Sequence, residues 1–267
     1  MEKTEHKGKP FLEIFASTLQ EDYRFPILEL FTFLYTLGTF IFVSFQTYGG
    51  VTNEQVAYTM VTSLMGFPIF IFIILIFKNI AYGLGNDLEK GTIQTFFSYP
   101  LKRRSILTAK LLSAIVVALL IFLGIQISAL YLLAPDIISN YIGTVLLTYS
   151  ANIGYSLFLA AVLLLMTLKV KRGGLALVFG IILYFAIGVV NGILTVIAFV
   201  TGSAWPIQII AVINPALALQ QHYFSTGLAG SWTPSFNEVL WYVGGAFALV
   251  AVMFSISYVY FCRRLSL

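Results

Sequence analysis

Charge is what this chain has least of. Only 10% of its 267 residues are Asp, Glu, Lys or Arg, 59% are hydrophobic, and the mean hydropathy is +0.93. Soluble globular proteins carry about 25% charged residues, so this chain has too little charge to cover a water-facing surface. A soluble enzyme, a secreted disulfide scaffold and a nucleic-acid binder are excluded, and an integral membrane protein remains. A single cysteine, Cys262, rules out an intrachain disulfide. The two histidines, His6 and His222, stand far apart without nearby cysteine and leave little for a zinc or haem site. His222 reads as an interfacial or loop residue.

Catalytic signatures are missing too. No G-x-x-x-x-G-K-[ST] occurs, because the nearest glycine cluster, GLGNDLEKGT, lacks the lysine after its second glycine. The chain therefore has no phosphate-cradling loop of its own. Neither H-E-x-x-H nor G-x-S-x-G is present. Paired acids inside apolar runs are absent as well: Glu29 lies near one end of the first run, and the other acids fall in loops or termini. Ion-coupled transporters usually carry intramembrane ionisable groups, so this scarcity counts against a self-powered transporter.

What the sequence does hold is long apolar runs. A bilayer core about 30 Å thick needs about 20 apolar helical residues. Six stretches meet that length: Ile27–Gln46, Ala57–Phe77, Ile106–Ala134, Thr144–Leu168, Leu175–Val200 and Val239–Phe261. The opening MEKTEHKGKP, with no small-residue cleavage pattern behind the first run, argues against a signal peptide. All 15 Lys and Arg residues precede span one, follow span six, or lie between spans two and three or four and five, counting Lys110 at the start of span three with the loop it follows. The opposite loops, about 47–56, 135–143 and 201–238, carry only Glu54, Asp136 and Glu238 as formal charges. The positive-inside rule then places both termini in the cytoplasm. Trp205, Trp232 and Trp241, with Tyr48, Tyr141 and Tyr223, form the expected outer aromatic belt. The net charge of +4 reads as a topology signal with some attraction to anionic lipid.

Three segments are not simple spans. Pro10–Arg24 has helical periodicity, with Phe11, Leu12, Phe15, Leu19 and Tyr23 on one face. It is predicted to lie along the inner membrane surface or to pack on the rest of the chain. Asn79–Lys110 holds most of the interior's polar residues. Gly83 and Gly85 are predicted to break the helix leaving span two. Gly91 allows a turn, Thr92 caps a short helix at Ile93–Ser98, and Pro100 stops it. That helix is expected to show Ile93, Phe96 and Phe97 to the cytoplasm as a docking element for a cytosolic partner. Thr201–Glu238, with Trp205-Pro206 and Asn214-Pro215, reads as short re-entrant or surface helices. Within the spans, Gln126, Ser150, Asn152, Ser156 and Asn191 are polar and read first as interhelical glue. Gly188 and Gly192 form a G-x-x-x-G that permits close helix approach, within the chain or across a dimer.

The region after span two resembles the ABC-2 type transporter permeases, the membrane subunits of a class of ATP-binding-cassette exporters. The likeness rests on Glu89-Lys90-Gly91-Thr92-Ile93, then Pro100-Leu101-Lys102-Arg103, then Lys110. The whole-chain plan is similar too. Many members have two acidic–basic pairs before Gly-Thr, and here the first is reduced to Asp87-Leu88. The resemblance implies an all-α membrane protein of six spans, with an N-terminal amphipathic helix in residues 1–26 and one transmembrane domain over 27–267. A cytoplasmic coupling segment would occupy about 79–105. Residues of about 86–98 would form a helix seated on a separate ATPase subunit, present in two copies, with Asp87, Glu89, Lys90, Gly91, Thr92, Ile93 and Phe96 in contact. ATP and Mg would bind on that partner, and this chain would hold no cofactor and catalyse nothing. A second permease chain, identical or not, would complete the path, with Asn152, Asn191, Gly188 and Gly192 placed in the path or in helix packing. The expected setting is a prokaryotic plasma membrane. Two other readings stay open on the residues alone: a gradient-driven transporter or channel, and a non-transporting membrane anchor. Nothing in the sequence selects a substrate.

Overall fold

The computed structural model describes residues 9–44, 54–97, 102–224 and 232–263. Among them every element is helical. Helix α1 spans Lys9–Asp22 and α2 Ile27–Ser44. Helix α3 runs Glu54–Glu89, and a short α4 covers Thr92–Phe97. The next three are long: α5 Arg103–Leu133, α6 Pro135–Val170 and α7 Gly173–Thr201. Two short helices, α8 Trp205–Ile213 and α9 Ala216–Tyr223, lead to α10, Phe236–Arg263. Five helices (α3, α5, α6, α7 and α10) are long and apolar enough to cross a membrane; α1 and α2, bent by 62° at their junction, meet that criterion only as a pair, the pattern of a broken span or a re-entrant loop. The chain is a multi-pass membrane protein.

The expected break after span two does not occur. Gly83 and Gly85 sit inside a π-helical stretch, Asn79–Gly85, that carries α3 onward to Glu89. The reason lies in what each glycine faces. A methyl on Gly83 would lie 3.0 Å from Asp22 Oδ1, and one on Gly85 would lie 2.8 Å from Gly173 Cα. Both glycines serve close approach, not a turn. The turn falls at Gly91, whose φ of +74° favours glycine. A second π-helical stretch, Leu112–Val117, lies in α5 and packs against the first. Such wide turns often mark functional sites in helices. The expected outer loop at 135–143 is also helical: α6 begins at Pro135, a favoured first-turn position, and bends at Tyr141 (φ −130°, ψ 34°).

Helix α1 packs on the chain, against the start of α5. Its buried line is Ile14, Thr18 and Asp22, while Leu12, expected on the apolar face, is 60% exposed. The core proper gathers α2, α3, α5 and α6. Phe122 stacks on Phe72 at 4.9 Å and meets Tyr35 edge-on at 5.9 Å. Buried Gln126 donates to Thr39 Oγ1 at 2.8 Å, the interhelical role expected of it. Asn152, Ser156 and Thr148 instead donate to carbonyls one turn back on their own helix.

At the end of the bundle away from α1, α8 and α9 enclose Tyr58, Tyr223 and Trp232. Trp232 is buried there, unlike Trp205 and Trp241, which remain exposed as belt residues do. His222 Nδ1 bonds Pro234 O at 2.8 Å, tying α9 to the segment before α10. That helix starts with a reciprocal cap: the Ser235 N–H donates to Glu238 Oε2 at 2.6 Å, and the Glu238 N–H to Ser235 Oγ.

Helix α7 buries little beyond Gly173, Ala176, Gly180 and Ala198. A methyl on Gly180 would sit 2.9 Å from the Phe77 ring, whereas Gly188 and Gly192 have nothing within 4 Å. The G-x-x-x-G is therefore not used for packing among the described residues. Gly85→Ala and Gly173→Ala should each lower thermal stability in detergent by about 1–3 kcal/mol, as overpacking does. Gly188→Ala and Gly192→Ala should leave it unchanged. A melting series in mild detergent checks this, and equal losses for both pairs would refute the packing account.

Candidate functional site

A buried polar cluster gathers where α1, α3 and α5 meet, at the end of the bundle that carries Lys78, Lys110 and Arg103 (the basic end). Lys110 is 3% exposed and forms an ion pair with the buried carboxylate of Asp87. Asp22, 2% exposed, accepts a hydrogen bond at Oδ2 from Ser113 Oγ at 2.5 Å. Lys78 Nζ donates to the Asp22 carbonyl at 2.6 Å and to Asn79 Oδ1 at 2.9 Å. Asn79 Nδ2 in turn donates to the Tyr23 hydroxyl, which donates to the Ser113 carbonyl. A cavity of about 10 Å³ between Asp22, Asn79, Gly83 and Lys110 is close to the size one water needs. Helix α1, the two π-helical stretches and the end of α3 are thus held by one network.

Burial dominates the chemistry of Asp22, which ends α1 and lies outside the five long apolar helices. Desolvation raises its pKa from 3.8 to about 6, opposed by the Ser113 hydrogen bond and by Lys78 and Lys110. The folded state therefore holds the Asp22 proton more tightly than the unfolded chain does.

The residues predicted to contact a partner lie beside this cluster, with corrections. Asp87 points inward to Lys110, so it is a structural anchor. Glu89 and Lys90 are exposed. Glu89 Oε2 accepts from the Gly173 N–H at 3.0 Å, which places an anion on the first residue of α7, where the helix dipole favours it. Thr92 does not cap α4 in the expected way: its hydroxyl donates back to Asp87 Oδ1 at 3.1 Å. Ile93, expected to face outward, is 0% exposed and belongs to the core. Burying such a side chain is worth about 1.5–3 kcal/mol, which explains why it turns in. Phe97 is half-buried, against Phe261 at 6.2 Å and under the Arg103 guanidinium at 4.6 Å. The Phe96 side chain, Ser98 and Pro100 lie outside the described residues. Among the described side chains, the exposed ones of this segment are polar: Glu89, Lys90, Thr92, Gln94 and Thr95.

Two clefts follow α3. One, of about 300 Å³, lies between α2, α3 and α7 near the basic end and includes Phe31, Phe70, Phe77 and Tyr184. The other, of about 420 Å³, lies toward the opposite end and presents Tyr58, Thr59, Thr62, Ser63 and Gln220. Thr59, Thr62, Ser63 and Gly66 recur at helical spacing, so one face of α3 changes from aromatic to hydroxyl-bearing along its length. Hydropathy alone does not mark this face; its signal in the sequence is the spacing of small hydroxyl residues within an apolar span. The residues named for the path or for helix packing line neither cleft: Asn152 bonds Thr148 O, and half-buried Asn191 lies on α7 between Gly188 and Gly192. Among the described residues, no three His, Cys, Asp or Glu side chains come together as a metal site would need. No protein-family model matches the chain, and no curated protein is similar to it.

Two outcomes follow for the cluster. Asp87→Asn or Lys110→Gln should destabilise the protein by about 3–5 kcal/mol, because each leaves a buried partner uncompensated; Asp87→Leu with Lys110→Met should recover most of that loss. Double-mutant stability in detergent reads this, and additive losses would contradict it. For Asp22, stability relative to Asp22→Asn should fall as pH rises from about 4 to about 6 and level off above, since the raised pKa favours the protonated native form. A difference curve rising with pH would overturn the sign.

Proposed function

We propose that the chain is the permease subunit of an ATP-driven exporter of the ABC-2 type. The observation that supports it most is mechanical. The stretch Asp87–Phe97 is anchored to α5 through Asp87–Lys110 and to the foot of α7 through Glu89–Gly173, yet offers a polar outward surface. A separate ATPase seated on Lys90, Thr92, Gln94 and Thr95 would move this segment as a lever. The Glu89 hydrogen bond and the Gly85–Gly173 contact would pass the movement to the foot of α7, whose middle stretch is largely exposed among the described residues.

In this reading two ATPase subunits carry ATP and Mg, and a second permease chain covers the open stretch of α7 at Gly188, Asn191 and Gly192. The hydroxyl-bearing face of α3 at Thr59, Thr62 and Ser63 lines part of the path. Both termini lie in the cytoplasm of a prokaryotic cell, and the basic end faces inward. The chain itself hydrolyses nothing.

The test is purification of the tagged chain from its host in mild detergent. A stoichiometric cytosolic ATPase bearing a phosphate-binding loop should co-purify, and its absence would end this reading. Glu89→Lys should reduce ATP-driven transport at least tenfold while leaving membrane insertion intact, and Glu89→Gln, which keeps an acceptor for the Gly173 N–H, should retain most of it. Unimpaired transport by the lysine variant would remove the coupling role from this segment.

A further inference from the structure

Three cations at the basic end already have a partner. Lys110 is paired with Asp87, Lys78 donates to the Asp22 carbonyl and Asn79 Oδ1, and Arg103 lies over the Phe97 ring. Arg104 and Arg263 are placed differently. Both line one cleft of about 410 Å³ between the start of α5 and the end of α10. Neither forms an ion pair among the described residues, and no acidic residue lines the cleft. Its frame is fixed by hydrogen bonds: Thr108 Oγ1 donates to the Arg104 carbonyl at 2.8 Å and shares a bond of 3.0 Å with the Tyr258 hydroxyl. Two like charges on one cleft repel until an anion comes between them.

The cleft does not end at the arginines. A second, of about 530 Å³, continues along α10 and shares Ser255 and Val259 with the first. Val252, Ile256, Val259 and Arg263 recur at three- and four-residue spacing, so they form one exposed stripe of the helix. The Ser255 hydroxyl is spent on the Ala251 carbonyl at 2.8 Å, which leaves the stripe apolar up to its basic end. From Val252, near the middle of α10, to Arg263 the helix rises about 16 Å at about 1.5 Å per residue. A hydrocarbon core is about 30 Å thick, so the furrow is as deep as one leaflet. A guanidinium matches the fork of a phosphate. A zwitterionic headgroup would bring its own ammonium to the same two cations, whereas an anionic one would not.

We propose that this furrow of α10 is a binding site for an anionic phospholipid of the leaflet at the basic end. One acyl chain lies along Val252, Ile256 and Val259, and the phosphate meets Arg104 and Arg263. The site is independent of the exporter reading.

The test titrates the full chain in mild detergent with an equimolar mixture of phosphatidylglycerol and phosphatidylcholine, and counts retained lipids by native mass spectrometry. The first lipid retained per chain should be phosphatidylglycerol by about fivefold or more, the contribution of one basic residue near the surface. Arg104→Gln with Arg263→Gln should remove that preference. Lys169→Gln with Arg172→Gln, which deletes the same charge from other exposed positions of the basic end, should keep it. Val259→Trp, at a residue common to both clefts, should lower phosphatidylglycerol retention severalfold. Equal retention of the two lipids by the wild-type protein would overturn the proposal. So would an equal loss of preference in both double variants, the mark of general attraction between basic residues and anionic lipid. Retention undiminished by Val259→Trp would overturn it as well, because the acyl chain would then lie elsewhere.

Discussion

A charge withdrawn from water into a protein interior has to find a partner there, and the basic end of this molecule is arranged around that requirement. Asp87 and Lys110 are both buried, and each is tolerable only because the other is present. Asp22 sits a short distance away, held by Ser113 and flanked by Lys78 and Asn79. These groups come from α1, α3 and α5, so satisfying them brings three elements to one point. The glycine at position 83 is part of the same solution, since any larger side chain would crowd the Asp22 carboxylate. Two π-helical stretches face each other across this point. A π turn changes the angular spacing of side chains, which brings polar groups to a face that a regular helix of the same sequence would divide between several.

From that anchored point the chain extends in two manners. The segment through α4 is held tightly: Ile93 enters the core and Phe97 lies between Arg103 and Phe261. Helix α7, by contrast, is fastened at its foot by Glu89, Gly85 and the Gly180–Phe77 contact and at its far end by buried Ala198 against α8, while much of its middle stretch is exposed among the described residues. A rigid short element attached to a long, lightly held one is the arrangement in which a small displacement becomes a larger tilt. Under the exporter reading, that asymmetry is what the coupling segment acts on.

The uncovered face of α3 adds a second asymmetry. Aromatic side chains occupy the part near the basic end, and hydroxyls the part near α9. Lipid chains suit the first environment, and a polar solute or water suits the second. Under the exporter reading, the two clefts would divide one helix face between bilayer and path, with Lys78 the one charged residue among those lining them.

The sequence alone determined membrane residence, the long apolar helices and the confinement of lysine and arginine to the termini and alternate connecting segments, because hydropathy and charge placement are properties of composition along the chain. It also located the polar segment after span two and the turn at Gly91. It did not show that Gly83 and Gly85 continue a helix, since a glycine needed for close approach looks the same as one needed for a turn until its neighbour is known. Nor did it show that Asp87 and Ile93 face inward, that Glu89 reaches the first residue of α7, or that the G-x-x-x-G of α7 is left open. Each depends on residues about 20 to 90 positions away being brought into contact. Periodicity assigns a residue to a face, but only the packed structure decides what lies opposite that face.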